Sequence, residues 1–311
     1  MLKDLDLPWT ISALQLGIGL VLWVAPLWLT GLRKMPSISM TNVKTILPIA
    51  VIHGLGQCVT VMSLGAGSIA FVNVVKSLEP LFNVVFMAII MGDMLPWQVN
   101  ACLLPVVGGV GYAASAEAEF SFDCFAFAMG SNIAFSLRGV LTKSQSKVDK
   151  GANMSDPGNN FAVMSALAFL AVVPIAIAIE GPMLMATWDQ AVTVTCTEAK
   201  KPLLGIFGSA EPAVCTGVES SDLLMRLLLS GLSFHVYNEI AMYTLDKVNP
   251  ITHAVGNTIK RVILILYSVV RFGTAMNFHK ATGSAVAIGG VFAYSIAKVL
   301  MEPKKTEAAK K

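Results

Sequence analysis

The sequence predicts an all-α polytopic membrane protein, and three observations carry that reading. Of 311 residues, 55% are hydrophobic and only 13% charged, against about 25% charged in a soluble domain. Nine stretches are apolar enough to cross a bilayer, which takes about 20 residues per helix. Alternating apolar strands are absent, which disfavours a membrane β-barrel.

The first stretch, 8–32, opens on Pro8 and runs apolar up to the basic pair Arg33 and Lys34. The second, 46–65, is apolar except for His53, Gln57 and Thr60 on one face. The third, 67–91, reads "FVNVVKSLEPLFNVVFMAII" at its centre and so buries Lys76, Glu79 and Pro80. The fourth, 96–115, is glycine-rich, and the fifth, 122–142, carries Arg138 near its end. The sixth, 160–180, leads to a loop at 181–221, rich in Thr, Glu, Gly and Pro, which reads as a surface excursion. Spans at 222–246, 251–271 and 281–300 complete the set. Gly and Pro inside several of them are tolerated where neighbouring helices satisfy the freed backbone.

The net charge of +3 decides little; placement decides more. Arg33, Lys34 and Lys44 follow the first span and Lys143, Lys147 and Lys150 the fifth. The tail "KKTEAAKK" falls on the same side if each segment crosses once, and Glu117, Glu119 and Asp123 fall on the other. By the positive-inside rule the basic side is the side of insertion.

Several classes drop out. No phosphate loop, HExxH, GxSxG or dinucleotide turn is present, no acid–base pair stands within a span, and nothing points to nucleic acid. The chain reads as a non-enzyme without cofactor. The five cysteines lack metal-ligand spacing. Cys196 and Cys215 share the long loop, where a disulfide can form, while the sequon at Asn153 lies on the opposite face. Both marks cannot lie in one oxidising lumen.

The polar residues inside the oil are the informative ones. Lys76 has a late counterpart in "THAVGNTIKRVILIL", which buries Lys260 and Arg261. Asn73 precedes Lys76 by three residues as Asn257 precedes Lys260, and His53 and Tyr237 each precede their lysine by 23. The pattern reads as an internal repeat. His53, Gln57 and Thr60 share a helix face, as do His253, Asn257 and Lys260, and Ser230, Ser233 and Tyr237. Ser131, Phe135, Arg138 and Thr142 form a further stripe. For Ser131, Ser230 and Ser233, helix-to-helix hydrogen bonding is sufficient explanation. It fails for the cations. Lys76, Arg138, Lys260 and Arg261 face only Glu79 and Glu239, leaving about two positive charges over; Arg138 alone can snorkel to the interface. A bound phosphate monoester, at about −1.5 to −2 and with three strong acceptors, matches that excess.

"HGLGQ", "VVKSLEPLFN", "SNIAFSLRGVLTK", "FHVYNE" and "NPITHAVGNTIKRV" resemble the plastid phosphate translocators of the drug/metabolite transporter superfamily. The resemblance covers most of the chain outside the 185–221 loop. It implies ten helices in two inverted five-helix halves around a central site, here 1–118 and 119–311. It implies exchange of triose phosphates, 3-phosphoglycerate, phosphoenolpyruvate, pentose or hexose phosphates for inorganic phosphate across the plastid inner envelope. The phosphate-binding cations fall on Lys76, Lys260 and Arg261, a further arginine on Arg138, and a hydroxyl on Thr60. Tyr237 falls at the organic end of the substrate, beside His53 and Gln57.

Two departures matter. Triose-phosphate members carry a second histidine in H-x-x-G-H where this chain has Gln57, and phosphoenolpyruvate members carry an amide there. Since "YTLDKVNPITHAVGN" sides with the triose-phosphate branch, triose phosphate or 3-phosphoglycerate is the expected substrate. Phosphoenolpyruvate stands next, hexose or pentose phosphate behind, and a nucleotide-sugar carrier is the more distant alternative. The chain also opens at "MLKDLDLPW", at the loop entering the second helix of the resemblance, so a further upstream span is expected. Oligomeric state has no signature in the sequence.

Overall fold

The computed structural model describes residues 5–117, 120–145, 152–192, 195–196, 215–216, 219–247, 250–273 and 276–301. Side chains of 195–196, 215–216, 245–247, 250–255 and 257 are outside that description. Among the sequence readings, Glu119, Lys147, Lys150, the 118/119 boundary, the basic tail and the side chains of His253, Asn257, Cys196 and Cys215 therefore lie outside the described residues.

Among the described residues nine helical segments follow in order. They are α1 (Pro8–Leu29), α2 (Met40–Ala66), α3 (Ile69–Met91), α4 (97–115, in pieces Trp97–Ala101 and Leu103–Ser115) and α5 (Phe122–Ser144). Then come α6 (Pro157–Val192), α7 (Ser220–Lys247), α8 (Pro250–Phe272) and α9 (Phe278–Met301). Six of them, α1, α2, α3, α5, α6 and α9, are long and apolar enough to cross a membrane. The other three predicted spans are helical too. Helix α4 is broken at Cys102, α7 carries Asp222, Arg226 and Glu239, and α8 carries Lys260, Arg261 and Arg271.

The termini have local causes. Ser39, Ser68 and Ser121 cap α2, α3 and α5, each accepting from an amide three residues on, at 3.2 Å. The Ser39 cap starts α2 six residues before the apolar run at 46, because a cap sets the start of a helix whether or not its first turn is oily. Pro8 occupies the first turn of α1, and the Glu180 carboxylate accepts from the Trp9 and Thr10 amides at 2.9 and 2.7 Å. Glu180 is only 3% exposed, so a buried acid is held by a helix N-terminus rather than by a cation. Helix α3 ends at Gly92, whose φ of 63° is the left-handed conformation that suits glycine.

The loop assignment needs correction. Residues 181–192 continue α6 through Pro174 and Pro182, so the excursion begins after Val192. Inside it Thr195–Cys196 pairs antiparallel with Cys215–Thr216, with Cys196 opposite Cys215.

Of three apolar clusters in the core, two position the site. One joins α3, α4, α5 and α9 around Phe71, Val75, Val110 and Ala287. The other joins α1, α2 and α6 around Leu16, Ala50, Phe161 and Ala168. Helices α4 and α9 approach to backbone contact: a Cβ on Gly283 would lie 2.6 Å from the Ala113 amide nitrogen and 2.7 Å from the Gly109 carbonyl. Small residues permit such approach where lipid offers no hydrophobic drive to pair helices. Helix α5 packs on both α2 and α3 and so spans the seam between the clusters.

Candidate functional site

The site is built on a break in α3. Pro80 has no amide hydrogen, so the Lys76 carbonyl cannot make its helical bond. The chain responds with a 3-10 turn at Lys76–Leu78, in which the Glu79 amide bonds Lys76 O. That withdraws the Glu79 amide from the Val75 carbonyl, which it would bond in an α-helix. Asn132 on α5 replaces it, donating from Nδ2 at 2.9 Å, and Ser136 Oγ donates to the Glu79 carbonyl at 3.0 Å. A cation and an acid are thus fixed at a kink whose backbone is satisfied from the next helix. Asn132 and Ser136 lie in the motif "SNIAFSLRG", but their role needs the third dimension to be seen.

Around the kink the cations converge. Lys76 Nζ lies 3.3 Å from Thr60 Oγ1 on α2 and 5.1 Å from the centre of the Phe135 ring. The Arg138 guanidinium carbon lies 5.2 Å from the same ring, and its Nη1 is 3.0 Å from His53 Nδ1. Phe135 therefore stands against two cations, in reach of its negative face. Arg138 does not snorkel: it points inward onto His53, which is 1% exposed. His53 also packs against Phe161 and Phe234, so it backs Arg138 from inside the core.

On α8, Lys260 Nζ donates to Tyr237 Oη at 2.6 Å. Its 5.2 Å distance to the ring centre, taken with that short bond, puts the ammonium end-on at the hydroxyl rather than over the ring face. We therefore count the hydrogen bond alone. Tyr237 is 48% exposed. Arg261 Nη2 bonds Glu79 Oε2 at 3.0 Å. Lys76 lies within electrostatic reach of Glu79, Arg261 and Lys260, and Arg138 within reach of Glu79. All four cations thus belong to one cluster. The two lysines are not equivalent, however. Lys260 takes the tyrosine 23 residues upstream, whereas Lys76 takes Thr60 and leaves His53 to Arg138. Gln57 is 7% exposed and donates to Gln15 on α1 at 2.7 Å.

The charge count changes accordingly. Glu239 is engaged by Arg33 through both guanidinium nitrogens, with Nη1 at 3.2 Å from Oε2, and is out of play. Among the described residues, four cations then face the single carboxylate of Glu79, an excess of about three charges rather than two. That arrangement is costly when empty and suited to an anion.

A separate open cavity of about 570 Å³ lies at the loop end of α1, lined by Arg33, Lys34, Asp156, Asn159 and Tyr243 among others. Two of its charged groups are held within the protein: Arg33 by Glu239, and Asp156 by the Tyr243 hydroxyl at 2.7 Å and the Asn159 amide at 3.0 Å. Burial raises the Asp156 carboxyl, but these bonds and the Arg33 charge outweigh it and hold it below its ordinary value. Burial likewise opposes the Arg33 charge, and Glu239 reverses the balance. Volume favours this cavity; unpaired charge favours the kink, and charge is what recognises an anion. On the loop nearby, Asn153 has a φ of 62° and donates its side-chain amide to Met35 O at 3.1 Å, so the sequon asparagine is occupied structurally.

A helical membrane bundle that gathers cations around one carboxylate at a helix break has the character of an anion transporter's binding site. Residues 1–295 match the Triose-phosphate Transporter family, and the chain belongs to that family. It is 34% identical over 306 residues to the rice phosphoenolpyruvate/phosphate translocator 1, chloroplastic, covering 98% of this chain and 68% of the relative. It is 34% identical over 301 residues to the pea chloroplastic triose phosphate/phosphate translocator, covering 97% and 68%. The Brassica oleracea var. botrytis triose phosphate/phosphate translocator of non-green plastids is 32% identical over 307 residues, covering 98% and 69%. A solved structure described only as a crystal structure of protein aligns over 96% of this chain and 90% of its own, with a TM-score of 0.49 and 17% identity.

Proposed function

We propose that this protein exchanges a phosphorylated three-carbon metabolite, triose phosphate or 3-phosphoglycerate, for inorganic phosphate by alternating access in the plastid inner envelope. The observation that carries the reading is the cluster of Lys76, Arg138, Lys260 and Arg261 against one carboxylate. In this reading Lys76, Lys260, Arg261 and Thr60 hold the phosphate, with Arg138 behind them. Tyr237 and Gln57 meet the organic end, and His53 acts through Arg138. The halves 1–118 and 119–311 are the two repeats that enclose the site. In support, α1 packs on α7 as α6 packs on α2, and α3–α8 and α4–α9 pair across the division. The names of the relatives support a plastid phosphate exchanger and divide over the organic substrate. Gln57 favours phosphoenolpyruvate as a second reading, since an amide recognises a carboxylate without taking up a proton.

Coupling follows from electrostatics. Occluding the site without an anion would desolvate unpaired cations, at several kcal/mol each even after relaxation. A 4–5 kcal/mol difference in the barrier slows empty reorientation by roughly a thousandfold. The test is labelled phosphate entry into liposomes loaded with phosphate, with each candidate organic phosphate, or with buffer alone. One-for-one exchange with negligible entry against buffer is expected. Comparable initial rates into buffer-loaded liposomes would refute coupling by charge compensation.

A further inference from the structure

Gln57 does not stand alone. Its Nε2 donates to Gln15 Oε1 on α1 at 2.7 Å, and Gln15 Nε2 donates to Ser230 Oγ on α7 at 2.8 Å. Among the described residues nothing bonds Gln57 Oε1, which leaves the carbonyl end of that amide as its available face. Gln57 shares a helix face with Thr60, the partner of Lys76, so the chain of bonds starts beside the cation cluster and ends two helices away.

The chemistry of the three links is unusual in one respect. Each amide is an acceptor at one end and a donor at the other, and a hydroxyl is both. The chain therefore closes equally well in either polarity. As it stands, the end of the Gln57 amide not bonded to Gln15 is an acceptor. With both amides reversed, Ser230 would donate to Gln15 Oε1, Gln15 Nε2 to Gln57 Oε1, and Gln57 would turn its amide hydrogens outward. We propose that Gln15 and Ser230 are positioning residues, which set whether Gln57 offers the organic end of the substrate an acceptor or a donor. A hydroxyl group meets the first state and a carbonyl or carboxylate the second, so one pocket serves both classes of three-carbon phosphate. Simple helix-to-helix bonding accounts for the two distances, but it has no use for a terminal group that accepts either polarity.

The inference rests on the exchange reading above, and the test separates the two. Labelled phosphate uptake into phosphate-loaded liposomes is inhibited by glycerol 3-phosphate, dihydroxyacetone phosphate, 3-phosphoglycerate and unlabelled phosphate. The readout is the ratio of inhibition constants, which cancels any common loss of activity. Gln15→Glu can only accept when ionised; it fixes the Gln57 amide hydrogens inward and should favour glycerol 3-phosphate over the carbonyl compound by about tenfold. Gln15→Met removes the anchor and should move the same ratio by about fivefold. Ser230→Ala should move it partly, and Ser230→Thr should restore it. In the double variant with Gln57→Met, Gln15→Met should add nothing to the ratio. Ratios unmoved within about twofold in both Gln15 variants would overturn the relay, as would a common shift of every inhibitor including phosphate. If Gln15→Glu fails to insert, Gln15→Met and the serine pair decide. Absence of phosphate exchange by the unchanged chain overturns the exchange reading itself, and the relay with it.

Discussion

Glu79→Gln should tighten binding of phosphate, although it removes an ion pair. In the empty protein the Glu79 carboxylate holds Arg261 at 3.0 Å, with side chains 36% and 13% exposed. A direct Coulomb term for unit charges at that separation is about 5 kcal/mol at an effective dielectric constant of 20. The net value of a hydrogen bond to a charged group is smaller, about 1.5–3 kcal/mol. Partial exposure of Glu79 reduces it further, to about 1–1.5 kcal/mol. An incoming phosphate competes with this carboxylate for Arg261, so removing the competitor should lower the dissociation constant by about tenfold. Inorganic and organic phosphates should gain alike, because the effect acts on the group they share. Turnover at saturation should fall, since tighter binding appears mostly as slower release. Binding of labelled phosphate to purified protein, with counter-exchange in liposomes, measures both quantities. Weaker phosphate binding in well-folded Glu79→Gln protein would refute competition, and would mean that Glu79 serves to place Arg261.

Lys76→Ala, Lys260→Ala and Arg261→Ala should each cut phosphate homo-exchange by about 10- to 100-fold with unchanged membrane insertion, the worth of a lost charge-assisted bond; near-normal exchange in inserted variants would remove them from the site. Glu239→Gln leaves Arg33, half-buried beside the open cavity, without its charged partner and should destabilise the protein by about 1–3 kcal/mol, read as a lowered melting temperature in detergent. Gly283→Val would drive a side chain into the α4 backbone, so the expected outcome is failure to fold, whereas Gly289→Ala, with open space around it, should be tolerated in the same expression assay. Asp156 is held below its ordinary value, so its contribution to stability is present above the unfolded carboxylate value near pH 4 and is lost as pH falls through the folded one. Asp156→Asn should flatten that acid limb in a melting series across pH 3–6.

What could be read from the sequence was what depends on residue type and spacing. Among the described residues each of the nine apolar stretches is helical, as expected where membrane backbone must satisfy itself locally. The cations stood out because their cost in oil holds whatever surrounds them. Pairing could not be read. Glu239 looked available to the intramembrane cations by sequence, yet Arg33, 206 residues away, reaches it first. Arg138 looked peripheral from its place near a helix end, but rotation about α5 aims it at His53. Gln15 was overlooked because a lone amide in an apolar run has no periodic partner; its bonds to Gln57 and Ser230 join three helices. The extension of α6 to Val192 was missed because proline and charge signal a helix end only when no neighbour compensates, and Glu180 is compensated by α1.

The bonds among the candidate residues divide them in a way that bears on movement. Asn132 and Ser136 fasten α5 to the α3 kink, Lys76 meets Thr60 of α2, and Arg138 meets His53 of α2. Those links make α2, α3 and α5 one unit around Lys76 and Arg138. Lys260 and Tyr237 join α8 to α7 and form a second unit. Among the described candidate cations, the bond that crosses between the units is Arg261 to Glu79. A phosphate placed among Lys76, Lys260 and Arg261 would take over that crossing with more charge than Glu79 supplies. The substrate would then add a tie between units that otherwise share the half-buried Glu79 carboxylate and the packing of α8 on α3. A ligand shifts a conformational equilibrium only by its differential affinity for the two states. In the proposed exchange that difference has a physical source: an arrangement that brings both groups of cations onto one anion would be favoured by it over one that does not.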